Sequence, residues 1–166
     1  MREERHTISL LVDNQPGVLA RIAGMFSGRG FNIQSLCVAE TLDPLLSRIT
    51  LVTTGDQSIV EQIKKQLNKL VNVHKVHDLT QTDFLERETA LVKVRARPDR
   101  RAEILRLVDI FKCKVVDAGT AHYTIEVTGT RDKLAALLTL LKPIGIREVA
   151  RTGSIALARD RKQSKT

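Results

Sequence analysis

The two halves of this 166-residue chain run through the same order of hydrophobic patterns, and that duplication limits the fold more than any other feature. Residues 7–12 alternate, which puts Ile8, Leu10 and Val12 on one face of a strand before Asp13-Asn14-Gln15-Pro16-Gly17 breaks it. A helix from about Gly17 to Ser27 is expected next. Val18, Leu19, Ile22, Ala23 and Phe26 form its apolar stripe, and Gly28 and Gly30 suit a stop and a turn. Segments 31–39 and 46–53 read as strands joined through Asp43-Pro44. Ile59, Val60, Ile63, Leu67 and Leu70 then have helical spacing, and 71–79 reads as a closing strand.

The second half repeats this order with different residues. Val92, Val94 and Ala96 alternate with Lys93, Arg95 and Arg97, as in a strand buried on one face, and Pro98-Asp99 starts a helix carrying Ile104, Leu107, Val108 and Phe111. Segments 114–118 and 123–128 read as strands, Leu134, Leu137, Leu138 and Leu141 as a helix, and 146–149 and 154–158 as final strands. The expected class is α+β, two tandem ferredoxin-like βαββαβ domains. They span residues 1–80 and 84–160, with the polar stretch 80–83 between them and a basic tail at 161–166 too polar to pack.

An apolar share of 42% can supply packed cores. No stretch approaches the roughly 18 apolar residues of a spanning helix, and Met1-Arg2-Glu3-Glu4-Arg5 lacks an apolar leader, so the expectation is a cytoplasmic chain with no membrane partner. Cys37 and Cys113 lie in unrelated surroundings and read as small, partly buried thiols rather than a disulfide or metal pair. The net charge of +8 lies wholly in the second half: residues 1–83 carry nine basic and nine acidic side chains, residues 84–166 eighteen and ten. Nucleic acid, an acidic protein partner and plain solubility all fit that bias.

Catalytic chemistry finds no support. There is no phosphate-binding loop, and Ser27-Gly28-Arg29-Gly30 follows a helix instead of opening one. His74 and His77, three apart on a strand, are expected to point to opposite faces, and no nucleophile elbow or carboxylate pair stands out. No catalytic residue, metal site or cofactor site is therefore expected. RNA binding is the rival, because βαββαβ is also the RNA-recognition plan. Arg29-Gly30-Phe31 imitates the start of that module's signature, but Asn32-Ile33-Gln34 then departs from it, and with no Trp, one Tyr and four Phe the chain offers few stacking platforms.

The turn at 13–19 carries more. Its residue types serve as punctuation: Asn14 as a turn residue, Pro16 fixing a dihedral, Gly17 permitting tight entry to the helix. The same turn places the N–H groups of Gly17, Val18 and Leu19 at the positive end of a helix, where a carboxylate is favoured. Asn14 and Asn32 offer amide oxygens for an ammonium group, and Val18, Leu19 and Ile33 an apolar lining, so a free amino acid is the expected ligand. Asn32 starts the neighbouring strand. Two copies paired edge to edge would bring Asn14 of one near Asn32 of the other.

Residues 14–22 (Asn-Gln-Pro-Gly-Val-Leu-Ala-Arg-Ile), 26–36 (Phe-Ser-Gly-Arg-Gly-Phe-Asn-Ile-Gln-Ser-Leu) and 43–48 (Asp-Pro-Leu-Leu-Ser-Arg) closely resemble the ACT domain of the acetolactate synthase regulatory small subunit. Val92-Lys93-Val94 and Glu148-Val149-Ala150-Arg151-Thr152-Gly153 resemble its C-terminal domain. The resemblance implies a non-catalytic subunit of a transferase of branched-chain amino-acid synthesis. Thiamine diphosphate, magnesium and FAD would then sit on the large catalytic subunit and none on this chain. It further implies activation of that large subunit, a homodimer through ACT domains, and feedback inhibition by valine. Carried over by position, the effector site is Asn14, Gly17, Val18 and Leu19 of one chain with Asn32 and Ile33 of its neighbour. The choice of valine over leucine or isoleucine rests on the resemblance alone, since one methylene separates ligands by only about 1–3 kcal/mol in an apolar pocket. Another ACT-domain amino-acid sensor, such as a tandem-ACT regulator of glycine metabolism, remains the alternative within the fold.

Overall fold

The computed structural model describes residues 4–160, so the expected basic tail at 161–166 lies outside the described residues. The chain divides into two compact units: one takes the chain up to Leu85 together with the stretch from Ser154 onward, the other takes Glu86–Gly153.

In the first unit β1 (Glu4–Asp13), α1 (Val18–Gly28), β2 (Ser35–Glu40), β3 (Leu46–Gly55), α2 (Gln57–Leu67) and β4 (Val73–Asp78) follow in the predicted order. The sheet is antiparallel in the order β2-β3-β1-β4. Ile8 lies opposite Leu51 and Leu10 opposite Ile49, so the alternation along β1 and β3 builds one apolar face. Val18, Ile22 and Phe26 of α1 and Ile63 and Leu67 of α2 cover that face. Each such side chain taken fully out of water contributes roughly 1.5–3 kcal/mol. α2 starts where Asp56 accepts the Ile59 N–H at 2.9 Å, a side-chain cap.

The second unit repeats the plan with β5 (Phe84–Arg95), α3 (Arg101–Ile110), β6 (Lys114–Ala118), β7 (His122–Gly129), α4 (Arg131–Leu141) and β8 (Ile146–Arg151). Its strand order, β6-β7-β5-β8, matches the first sheet position for position. Val92, Val94, Ile125, Ile104, Leu134, Leu137 and Leu141 form its core. Both sheets also carry a bulge at the same place. The register slips by one residue between Leu11 and Val12 against β4, and between Lys93 and Val94 against β8, leaving His74 and Arg147 as the extra residues.

Two expectations are corrected, and a third is refined. Segment 31–39 is strand only from Ser35, because the Phe31 ring packs edge-on against Phe26 at 6.1 Å and the Phe31 N–H bonds to Phe26 O, which holds the chain to the end of α1 until Gln34 N–H reaches Val52 O at 2.8 Å. The strand predicted to begin at Leu91 begins at Phe84, and the polar boundary is a single 3-10 turn at Leu79–Gln81. The stretch 154–158, expected to finish the second domain, forms β9 (Ile155–Ala158) and pairs with β5 in the second sheet, although its contacts group it with the first unit. β7 reaches along β5 only to Glu88 and β8 only to Ala90, which leaves the start of β5 open to β9. β9 pairs with β5, Arg159 N–H donates to Asp83 O at 2.9 Å, and Ser154 N–H donates to Ser35 Oγ at 3.1 Å. No helix among the described residues is long and apolar enough to cross a membrane.

Candidate effector site

β1 ends at Asp13, and the next five residues turn the chain into α1. Gly17 is the residue before the helix and adopts φ +85°, a left-handed conformation that favours glycine. No side chain caps α1 and no acidic residue lies in its first turn, so the helix supplies no negative charge to its own positive end. Among the described residues the N–H groups of Gly17, Leu19 and Ala20 have no acceptor, and Val18 N–H reaches Gln15 O only at 3.4 Å. A Cβ built on Gly17 would meet nothing within 4 Å. The helix end therefore presents unfilled donors to open space, an arrangement that binds a carboxylate.

The turn is fixed from two sides. Asn14 N–H donates to Leu45 O at 2.8 Å, and Asn14 Nδ2 donates to Pro44 O at 2.9 Å. The amide nitrogen thus faces the β2–β3 loop and leaves Oδ1 without a partner among the described residues, an acceptor suited to an ammonium group. That loop is itself an Asx turn in which Asp43 Oδ1 accepts the Leu45 N–H at 3.0 Å. On the other side, Asp13 N–H donates to Asn72 O, and the Asp13 carboxylate takes hydrogen bonds from Asn72 Nδ2 at 2.7 Å and His74 Nε2 at 2.5 Å. Arg21 Nη1 bonds to Asn72 Oδ1 at 2.8 Å. The Asn72 bond first, and then His74, hold the Asp13 carboxyl below the usual carboxylate range.

Of the residues expected at the site, Asn14, Gly17 and Leu19 gather at this exposed end of the unit. Val18 is a correction: its side chain is 6% exposed and packs into the core, because it starts the buried stripe with Ile22 and Phe26, so only its N–H faces the site. Asn32 is exposed, and Ile33 is half-buried against the core of the unit. Both lie at the opposite end of the sheet. Asn32 O accepts from Thr53 Oγ1, whereas Asn14 is held at Leu45, eight residues along β3 or roughly 26 Å at strand rise. One copy of the chain cannot bring Asn14 and Asn32 together.

Asp13, Arg21, Asn72 and His74 were missed by sequence reasoning. Asp13 stands beside Asn14 and reads only as a strand breaker, and the bulge that re-aims His74 leaves no mark in hydrophobic periodicity. Four of the five aromatic side chains offer little to stacked bases: Phe26 is buried, Phe31 packs against the first core, and Phe111 and Tyr123 pack against the second. Among the described residues no group of three or more His, Cys, Asp or Glu side chains is placed to hold a metal ion.

Family models match both units: residues 8–75 fit the "AHAS small subunit-like ACT domain" and residues 87–160 the "Small subunit of acetolactate synthase". The chain is 48% identical over 159 residues to the "Probable acetolactate synthase small subunit" of Archaeoglobus fulgidus, covering 96% of this chain and 99% of that one. With the "Acetolactate synthase small subunit" of Mycolicibacterium smegmatis it shares 50% over 154 residues, covering 93% and 91%. The crystal structure of the acetolactate synthase small subunit from Thermotoga maritima superposes with a TM-score of 0.86 at 43% identity, covering 94% of this chain and 98% of that one.

Proposed function

The chain belongs to the acetolactate synthase small-subunit family, and from that membership we propose that it is a cytoplasmic, non-catalytic regulatory subunit that activates its large subunit and makes it sensitive to valine. The observation that carries the valine reading is the bare N-terminal end of α1. Its free N–H groups, the open space at Gly17 and the unpartnered Asn14 Oδ1 match the carboxylate and ammonium of one amino acid.

The separation of Asn14 from Asn32 supports a homodimer. β2 is an edge strand whose outer side no other strand covers among the described residues, with Val38 40% exposed on it. β2 runs parallel to β1, both being antiparallel to β3. Two β2 edges paired antiparallel across a two-fold axis would carry Asn32 and Ile33 of one copy to the end where Asn14 and Gly17 of the other stand. Valine would close that seam. Thiamine diphosphate, magnesium and FAD belong in this reading to the large subunit.

The test is reconstitution with the cognate large subunit, together with calorimetric titration by valine, leucine, isoleucine and glycine. The expected result is no acetolactate synthesis by the small subunit alone, higher turnover on adding it to the large subunit, and inhibition by valine of the complex. Turnover by the pure chain, or a complex no more active than the large subunit, would overturn the reading.

A further inference from the structure

The repeat of the fold allows the two units to be compared residue by residue at the end where the first carries its effector turn. In the first unit Asp13 and Asn14 bond through their N–H groups to Asn72 O and Leu45 O. In the second, Arg95 and Ala96 do the same to Gly145 O and Ala121 O, each at 2.9 Å. Arg95 thus stands where Asp13 stands, and Pro98 where Pro16 stands. The shared bulge adds a second equivalence, placing Arg147 where His74 lies. A bonded carboxylate and imidazole in one unit are replaced by two guanidinium groups in the other.

Arg95 and Arg147 line an open cavity of about 540 Å³, with Arg97, Pro98, Thr120 and His122. No acidic side chain lines it. Arg97 is engaged by Asp99 at 3.1 Å, and Arg101 is spent on Ala96 O and Thr120 O, where it braces the cavity wall. The side chains of Arg95 and Arg147 make no hydrogen bond or ion pair among the described residues. His122, which faces Arg95 across the β5–β7 pair, keeps its Nε2 out of water and without a partner. Like charges held in one concavity repel, and an unbonded buried nitrogen is costly, so the arrangement is completed by an anion.

We propose that this cavity is a second ligand site, for a small phosphate-bearing anion held by Arg95 and Arg147. Two planar guanidinium forks match the oxygen geometry of a phosphate better than that of a single carboxylate. The proposal stands apart from the valine reading, since it concerns other residues in the other unit.

The experiment is calorimetric titration of the full chain, at fixed ionic strength, with inorganic phosphate, pyrophosphate and ribose 5-phosphate. Arg95→Gln/Arg147→Gln is compared with the wild type and with Arg29→Gln, an exposed arginine in the first unit. Saturable binding of at least one probe is expected, weakened about tenfold or more in the double variant and unchanged by Arg29→Gln. Tighter binding of ribose 5-phosphate identifies a phosphorylated metabolite as the occupant, and equal binding identifies free phosphate; both support the site. The absence of saturable binding up to roughly 10 mM overturns it, as does equal weakening by Arg29→Gln, which would mean diffuse charge. A double variant that binds every probe as the wild type does but fails to join the large subunit also overturns it, in favour of arginines that meet acidic groups of a partner protein.

Discussion

Asn72 donates its side-chain hydrogen to the Asp13 carboxylate at 2.7 Å, tying the start of β4 to the turn that opens α1. This bond, with the one from His74, favours the charged carboxylate and lowers the Asp13 pKa. A carboxyl depressed in the folded state adds stability that is fully present above its unfolded value, about 3.9, and is lost as pH falls through the folded value. Asp13→Asn should therefore be less stable than the wild type at neutral pH. The gap should narrow as unfolding is measured at progressively lower pH below about 4. A gap that stays constant down to the acid limit would show that Asp13 acts through packing rather than charge.

Gly17 separates a ligand role from a turn role. Its φ of +85° penalises any side chain, and asparagine tolerates that conformation better than most residues. Gly17→Asn and Gly17→Asp should each cost about 1 kcal/mol of stability, read from denaturant midpoints. Aspartate also places a negative charge where the effector carboxylate would sit. The reconstituted Gly17→Asp complex should keep its activation and stay active at valine concentrations that inhibit the wild type. Wild-type valine sensitivity in a folded Gly17→Asp protein would rule the site out.

The shared site can be tested by mixing copies. The side chain of Asn32 makes no hydrogen bond within the described chain, so Asn32→Ala should change stability by no more than about 0.5 kcal/mol while weakening valine binding. A dimer mixing Gly17→Asp with Asn32→Ala copies would concentrate both changes in one site and leave the other intact. Mixed dimers should recover half of the wild-type binding stoichiometry, whereas a site built within one copy recovers none.

His6 predicts a gain in stability. It is wholly buried on the helix-facing side of β1, opposite Thr53, and neither ring nitrogen has a hydrogen-bond partner. An unbonded buried polar group costs about 1–3 kcal/mol. His6→Leu should raise the urea midpoint by an amount equivalent to about 1 kcal/mol, with no change in valine affinity. A lower midpoint would reveal a buried water or other partner for the imidazole.

Much of the architecture could be read from one sequence because hydrophobic period is a local property. The alternation Ile8-Leu10-Val12, the helical spacing Val18-Ile22-Phe26 and their counterparts Val92-Val94 and Leu134-Leu137-Leu141 lay out both βαββαβ units, and the glycine before α1 marks the turn of the proposed site. Three features depended on tertiary structure. Phe31 leaves the sheet because Phe26 offers its ring a better contact than strand pairing offers the backbone. β9 pairs with the start of β5 because β7 and β8 occupy the edges of that strand only beyond Glu88 and Ala90. The roles of His74 and Arg147 arise from bulges, whose single extra residue shifts a side chain without disturbing the apolar pattern around it. Residues fourteen and thirty-two show the division most plainly: sequence chose their chemistry, but the end of the sheet each occupies is set by pairing with β3, which only the folded chain possesses.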